Sequence, residues 1–141
     1  MALLQNGEYT HTFSSSIENL ETVEKITSTI AEELNFHNSA MDDLSIAITE
    51  LFNNAIHHGN KNDPHKKIKV RYLVSSSQLK ISVKDQGGGF SPDEIKDPLA
   101  PENILAENGR GLYLVKNLMD NVEVKVHKDG CEIIITKQLL S

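Results

Sequence analysis

The chain has 141 residues, with 14 Lys and Arg against 20 Asp and Glu, for a formal net charge of −6 at pH 7. That length suits one domain with a single sizeable core, and 38% apolar with 24% charged residues is the composition of a folded globular protein rather than a disordered one. No apolar run approaches the roughly 18 residues of a membrane span, no basic-then-apolar leader opens the sequence, the single cysteine, Cys131, cannot form an internal disulfide and suits a reducing, cytoplasmic setting, and an acidic chain without a dense Lys/Arg run makes a poor binder of nucleic acid or anionic lipid.

Residues 8–13 are β-prone and predict a short first strand, with Ser14, Ser15 and Ser16 as cap candidates for a helix after it. Ile17, Leu20, Val23, Ile26, Ile30 and Leu34 recur at spacings of three and four, which predicts an amphipathic helix over 17–34. A second helix is expected over 40–58, with Leu44, Ala47, Ile48, Leu51, Phe52, Ala55 and Ile56 as a wide apolar stripe and Gly59 as its C-cap. Residues 67–74 and 78–84 alternate as strands around a serine turn and form a hairpin. Residues 85–108 are irregular and rich in Gly and Pro, and a loop of that length in a compact domain is usually functional or disordered. A third helix opens at 109–111, with Leu112, Val115, Leu118 and Met119 on its apolar side, and strands over 122–127 and 131–136 close the chain around Asp129 and Gly130. The order β-α-α-β-β-loop-α-β-β has no βαβ unit. The expected fold is therefore α+β, a two-layer sandwich with helices on one face of a mostly antiparallel sheet, formed by residues 1–141 as one domain.

The charge is unevenly placed. Residues 1–60 hold one base, Lys25, against nine acids, whereas residues 61–141 hold thirteen bases and eleven acids. A solvated helix face would produce this, and so would an acidic surface that recognises a basic partner.

Three groups of residues carry chemistry. Glu50 and Asn54 are four apart and stack on one helix face, in line with His57 or His58, amid an apolar stripe. A solvated face is one reading. The other is a metal–phosphate site, because Mg²⁺ takes few protein oxygens and keeps waters and phosphate oxygens, and a carboxylate one turn away can orient water or accept a proton. Asp85-Gln86-Gly87-Gly88-Gly89-Phe90 comes directly after a strand; its glycines allow close approach to the backbone, and an Asp there can accept from an exocyclic amine. It is neither a dinucleotide fingerprint nor a P-loop, since no βαβ unit and no G-K-[ST] accompanies it. Gly109-Arg110-Gly111-Leu112 opens a helix, where free N–H groups bind phosphate and Arg110 adds a charge-assisted contact. His57, His58 and His65 make a poor zinc set, because adjacent helical histidines diverge and nothing completes four ligands.

An E-x-x-x-N helix, D-x-G-x-G after a strand and G-x-G at a helix start, in that order, resemble the GHKL superfamily of ATPases, which unites gyrase, a heat-shock chaperone, histidine kinases and the mismatch-repair protein MutL. The run from Glu50 to Asn60, ELFNNAIHHGN, looks like its N box, and Asp85 to Gly89 and Gly109 to Leu112 look like its two glycine boxes. Within the superfamily the chain is most similar to the small bacterial anti-sigma-factor serine/threonine protein kinases, over nearly its whole length. The resemblance implies the ATP-binding fold of that superfamily and an ATP- and Mg²⁺-dependent kinase. Asn54 would hold Mg²⁺ and Glu50 would be the general base. Asp85 would take the adenine amine, with Gly87 and Gly89 shaping the pocket. Residues 91–108 would be the ATP lid, with Gly109, Arg110, Gly111 and Leu112 binding phosphates. Phosphoryl transfer needs chiefly positioning and charge neutralisation, so this short set suffices. The family often places a threonine in the last strand against adenine, where this chain has Glu132, with Thr136 further on.

The resemblance also implies partners: a sigma factor that the protein sequesters, a STAS-domain antagonist that it phosphorylates, and a second copy of itself in a homodimer. Two other readings use the same fold, a nucleotide-gated binding module without kinase activity and a detached histidine-kinase catalytic domain. Glu50 argues against both, because a pure binder has no need of a base and histidine kinases tend to carry Asn at that position, whereas a serine hydroxyl gains from a base.

Overall fold

The computed structural model describes residues 7–87 and 111–138. Five strands, β1 (Gly7–Ser14), β2 (Lys67–Val74), β3 (Gln78–Lys84), β4 (Asn121–His127) and β5 (Gly130–Gln138), form one sheet in the order β1-β2-β3-β5-β4, and every pairing is antiparallel. A 3-10 turn (Ile17–Asn19) leads into α1 (Leu20–Glu33), followed by α2 (Asn38–Asn54). A shorter helix, α3 (Gly111–Leu118), precedes the last hairpin. The expected α+β two-layer sandwich is the one observed, with the helices on one face of the sheet.

Alternation sets which face is which. Ile68, Val70 and Tyr72 of β2 are fully buried while Lys67 and Lys69 are exposed. Leu79, Ile81 and Val83 of β3 and Ile133 and Ile135 of β5 continue the buried face in register, with Ile81 opposite both Tyr72 and Ile135. Against it α2 lays Leu44, Ile48, Leu51 and Phe52, all at most 1% exposed. Each such side chain contributes about 1.5–3 kcal/mol by leaving water. Helix α1 adds Val23, Ile30 and Ala31, and α3 adds Leu112 and Val115. The edge of Phe13 meets Phe52 with ring centroids 6.1 Å apart, which ties the outer strand to α2.

One buried polar link joins α1 to the sheet. The Thr27 hydroxyl donates to Val23 O at 2.8 Å, so the Tyr72 hydroxyl, 2.8 Å from Thr27 Oγ1, donates to it in turn. Burial, only partly offset by that hydrogen bond, pushes the Tyr72 phenol up to about 12.

The uneven charge separates onto opposite faces. Residues 17–54, which make the 3-10 turn, α1 and α2, carry eight acids and one base, Lys25. The helix-free face of the sheet carries Lys67, Lys69, Arg71, Lys80, Lys84 and Lys125 against Glu8, Glu123 and Glu132.

Replacing Tyr72 by Phe should lower unfolding free energy by about 1 kcal/mol in urea titrations near neutrality. The raised phenol also gives a signature at high pH. The unfolded chain ionises from about 10 and the folded one only near 12, so this contribution is intact below 10 and is lost as pH rises toward 12. The gap between wild type and Tyr72→Phe should narrow over that interval; a constant gap would contradict the assignment.

Candidate functional site

Helix α2 is buried along one side and delivers two polar side chains at its C-terminal end, Glu50 and Asn54, one turn apart. Beyond Asn54 the backbone widens into a π-helical turn, Ala55–Gly59. The Asn60 amide donates to Ala55 O and the Asn62 amide to Ile56 O, both at 2.8 Å. Single π turns of this kind recur at functional sites because they redirect side chains without ending the helix path. This corrects the expected continuous helix to His58. Gly59 is not in the left-handed region, so it is not the conventional C-cap glycine that the sequence suggests.

Glu50, Asn53 and Asn54 of α2, His57 and His58 of the π turn, and Gly111 and Leu112 of α3 line one open cavity of about 90 Å³. That volume has room for several waters or a hydrated cation. The N-terminus of α3 is pressed against the carboxylate: a Cβ on Gly111 would lie 2.7 Å from Glu50 Oε2. Asn54 Oδ1 is buried and has no hydrogen-bond partner. Buried acceptors are normally satisfied, and an amide oxygen left open beside a carboxylate, in a cavity at a helix N-terminus, suits a hard cation and phosphate oxygens. Among the described residues no group of three or more His, Cys, Asp or Glu side chains could hold a metal by itself. A cation here would therefore complete its shell with water and ligand oxygens, as Mg²⁺ does.

The second part of the site is built around Asp85, which is 4% exposed. Its Oδ1 accepts from the amides of Gly87 at 2.9 Å and Cys131 at 3.0 Å, and its own amide donates to Cys131 O at 3.0 Å. Three glycines from different segments close on it. A Cβ on Gly59 would lie 2.0 Å from Asp85 Oδ2, and one on Gly130 would lie 2.0 Å from Asp85 O. One on Gly87 would lie 2.4 Å from Gly59 O. Gly130 also has φ +152°, a conformation other residues rarely adopt. Both Oδ1 contacts come from backbone N–H groups, so the carboxylate is held in orientation with Oδ2 directed to Gly59.

Asn60 joins the two parts. It is wholly buried; its Nδ2 donates to Lys67 O at 3.1 Å and its Oδ1 accepts from the Gln86 amide at 2.7 Å. The end of the π turn is thereby fixed to the segment that carries Asp85.

The two last-strand candidates for an adenine contact are corrected by the pleat. Cys131 lies two residues before the core residue Ile133 and shares the face of Asp85, whereas Glu132 and Thr136 point to the helix-free face. Glu132 is committed elsewhere. Burial pushes its carboxyl up, but the Ser82 hydroxyl at 2.5 Å, His127 Nε2 at 3.0 Å and the Arg71 guanidinium outweigh this and hold it below the usual range. Cys131 beside Asp85 is the last-strand residue at the site. Burial, then the charges of Asp85 and Glu132, raise its thiol to about 11, so it is an inert, protonated group.

The structure thus brings Glu50, Asn54, Gly111 and Leu112 together, and places Asp85 and Gly87 beside them across the π turn. Gly89, Gly109, Arg110 and the expected lid at 91–108 lie outside the described residues. The N-box run includes Gly59 and Asn60 but assigns neither a role, and the sequence gives no sign that Gly130 and Cys131 belong to the site. A glycine after a helix and a glycine in a hairpin turn have ordinary local explanations, and only the tertiary contacts reveal the steric ones.

Comparison with known proteins agrees with this geometry. The family model of the histidine kinase-like ATPase domain matches residues 13–137. The serine-protein kinase RsbW of Bacillus subtilis is 33% identical over 116 residues, covering 78% of this chain and 72% of the relative. That of Bacillus licheniformis is 37% identical over 116 residues with the same coverage, 78% and 72%. Among solved structures, the RsbU and RsbW domains of a Mycobacterium tuberculosis protein superpose with a TM-score of 0.69 at 20% identity, over 94% of this chain and 32% of that one. The catalytic domain of the histidine kinase ThkA gives 0.60 at 15% identity, over 93% and 98%. The chain belongs to the histidine kinase-like ATPase domain family and, like the serine-protein kinases it matches over most of its length, is an ATP-using protein kinase.

Proposed function

We propose that this kinase transfers the γ-phosphoryl group of ATP to a serine or threonine hydroxyl of a STAS-type anti-sigma-factor antagonist, and that it also sequesters a sigma factor in a partner-switching module. In this reading it works in the cytoplasm as a homodimer of single-domain chains, and antagonist and sigma factor compete for it. The observation that carries the site assignment is the buried, unpartnered Oδ1 of Asn54, one turn from Glu50 on a residue that lines the cavity beside α3.

Asn54 Oδ1 would hold Mg²⁺, which when bound neutralises phosphate charge. Gly111 and Leu112, with Gly109 and Arg110 before them, receive the phosphates at the start of α3. Asp85 accepts the exocyclic amine of adenine, oriented by the amides of Gly87 and Cys131, and Gly87 and Gly89 shape that pocket. Glu50 takes the proton from the acceptor hydroxyl as its oxygen bonds to the γ-phosphorus. The bond from that phosphorus to the β–γ bridging oxygen breaks, and ADP leaves. The relatives' name, serine-protein kinase, supports the hydroxyl acceptor, and the presence of a carboxylate at position 50 supports a base-assisted transfer.

Glu50→Gln should reduce transfer from labelled ATP to a STAS-domain antagonist by ~10²–10⁴-fold, the usual worth of a general base, while calorimetric ATP affinity stays near wild type. Transfer at the wild-type rate would remove Glu50 from the mechanism. Asn54→Ala should abolish the dependence of ATP affinity on added Mg²⁺; an unchanged metal dependence would reassign the amide. Gly130→Ala should lose more than about 1 kcal/mol of stability. It should also erode the preference for ATP over purine riboside triphosphate, which lacks the amine; preserved selectivity would show that the Gly130 contact does not orient Asp85.

A further inference from the structure

Two contacts fix how α2 and α3 lie. At one end Gly111 abuts Glu50, at the other Lys137 Nζ donates to Leu118 O at 2.8 Å and to Asp43 Oδ2 at 3.3 Å. Positions 43 to 50 on α2 and 118 to 111 on α3 therefore run side by side in opposite directions, eight residues each. On that alignment Ile46 and Leu114 fall at the middles of the two facing stretches. Both are turned outward, 42% and 39% exposed, and Tyr113 beside Leu114 is 53% exposed. These are three of the four large exposed apolar side chains among the described residues; the fourth, Ile17, sits in the 3-10 turn. Apolar side chains gathered at one edge of a functional cavity mark an interaction surface. This edge is one helical turn from Glu50 and belongs to the acidic layer, in which residues 17–54 carry eight acids and one base and Asp42 is exposed at the rim.

We infer that the Ile46–Leu114 strip is the docking surface for the protein acceptor, and that it fits an acceptor face with an apolar residue flanked by basic side chains. The inference rests on the kinase reading above and adds the place and chemistry of substrate recognition. A hydroxyl must come within hydrogen-bond reach of the Glu50 carboxylate, which confines the acceptor to a neighbouring surface. The strip adjoins Glu50 and is the described edge that offers apolar anchors there. Asp42 and Glu50, one turn to either side of Ile46 on α2, favour a basic partner and disfavour an acidic one. The strip is separate from the basic, helix-free face of the sheet, which leaves that face free while the acceptor is engaged.

The test uses the full chain and a purified, unphosphorylated STAS-domain antagonist from the same genome, with binding measured by calorimetry in ADP and transfer measured with labelled ATP. Ile46→Ser with Leu114→Ser should weaken antagonist binding and raise the KM for it by about 10-fold or more, as loss of a central apolar anchor does, with kcat and ATP affinity near wild type. Asp42→Lys should weaken binding further and flatten its salt dependence. Unchanged antagonist affinity and KM in the double variant, with circular dichroism confirming its fold, would overturn the inference. If wild type binds the antagonist but transfers nothing, the kinase reading fails while the binding loss still decides the docking surface. If wild type neither binds nor transfers, both are overturned.

Discussion

The close packing around Asp85 is the constraint on which the rest depends. Three glycines from the π turn, the segment after β3 and the start of β5 approach it so nearly that any side chain at those positions would overlap the carboxylate or its backbone neighbours. The carboxylate in turn accepts two backbone N–H groups that come from two of those segments. A buried charge is tolerated only when it is hydrogen-bonded. The π turn, the end of β3 and the last hairpin are thus held at one point by mutual necessity.

From that point the architecture is consistent. Strand β5 lies between β3 and β4, which places Cys131 opposite Asp85. The π turn that brings Gly59 to Asp85 also ends α2 at Asn54, leaving the amide oxygen of Asn54 unpartnered in the cavity. Helix α3 returns antiparallel to α2 and sets Gly111 against Glu50. The absence of a side chain at Gly111 is what allows α3 to come so near a carboxylate.

The two faces of the sandwich have different electrostatic characters. The helical layer is acidic and carries the candidate site, whereas the open sheet face is basic with one buried carboxylate, Glu132, held by Ser82, His127 and Arg71. A protein that must recognise other proteins gains specificity from such a separation, because partners of opposite charge are sorted to opposite faces. The net charge of −6 conceals it.

Much was legible in the sequence. Period-two alternation placed β2 and β3 at their observed limits, and the three- and four-residue spacing of Val23, Ile30, Leu44, Ile48 and Leu51 marked the buried helix faces, because these periodicities are local consequences of backbone geometry. The spacing of Glu50 and Asn54, and glycines after a strand and before a helix, marked the candidate site for the same reason. What the local pattern could not carry is contact between distant segments. That Gly59 and Gly130 are required by Asp85, that Asn60 fastens the π turn to Gln86, and that Cys131 rather than Glu132 or Thr136 shares the face of Asp85 depend on strand order and pleat register. A one-residue difference in register exchanges the two faces of a strand, so an alignment by residue type alone could choose Glu132 while the sheet chose Cys131. Sequence by itself determined most of the elements, the family and the candidate residues for the site; tertiary structure decided which residues meet, because steric exclusion and the satisfaction of buried polar atoms act only once the chain is packed.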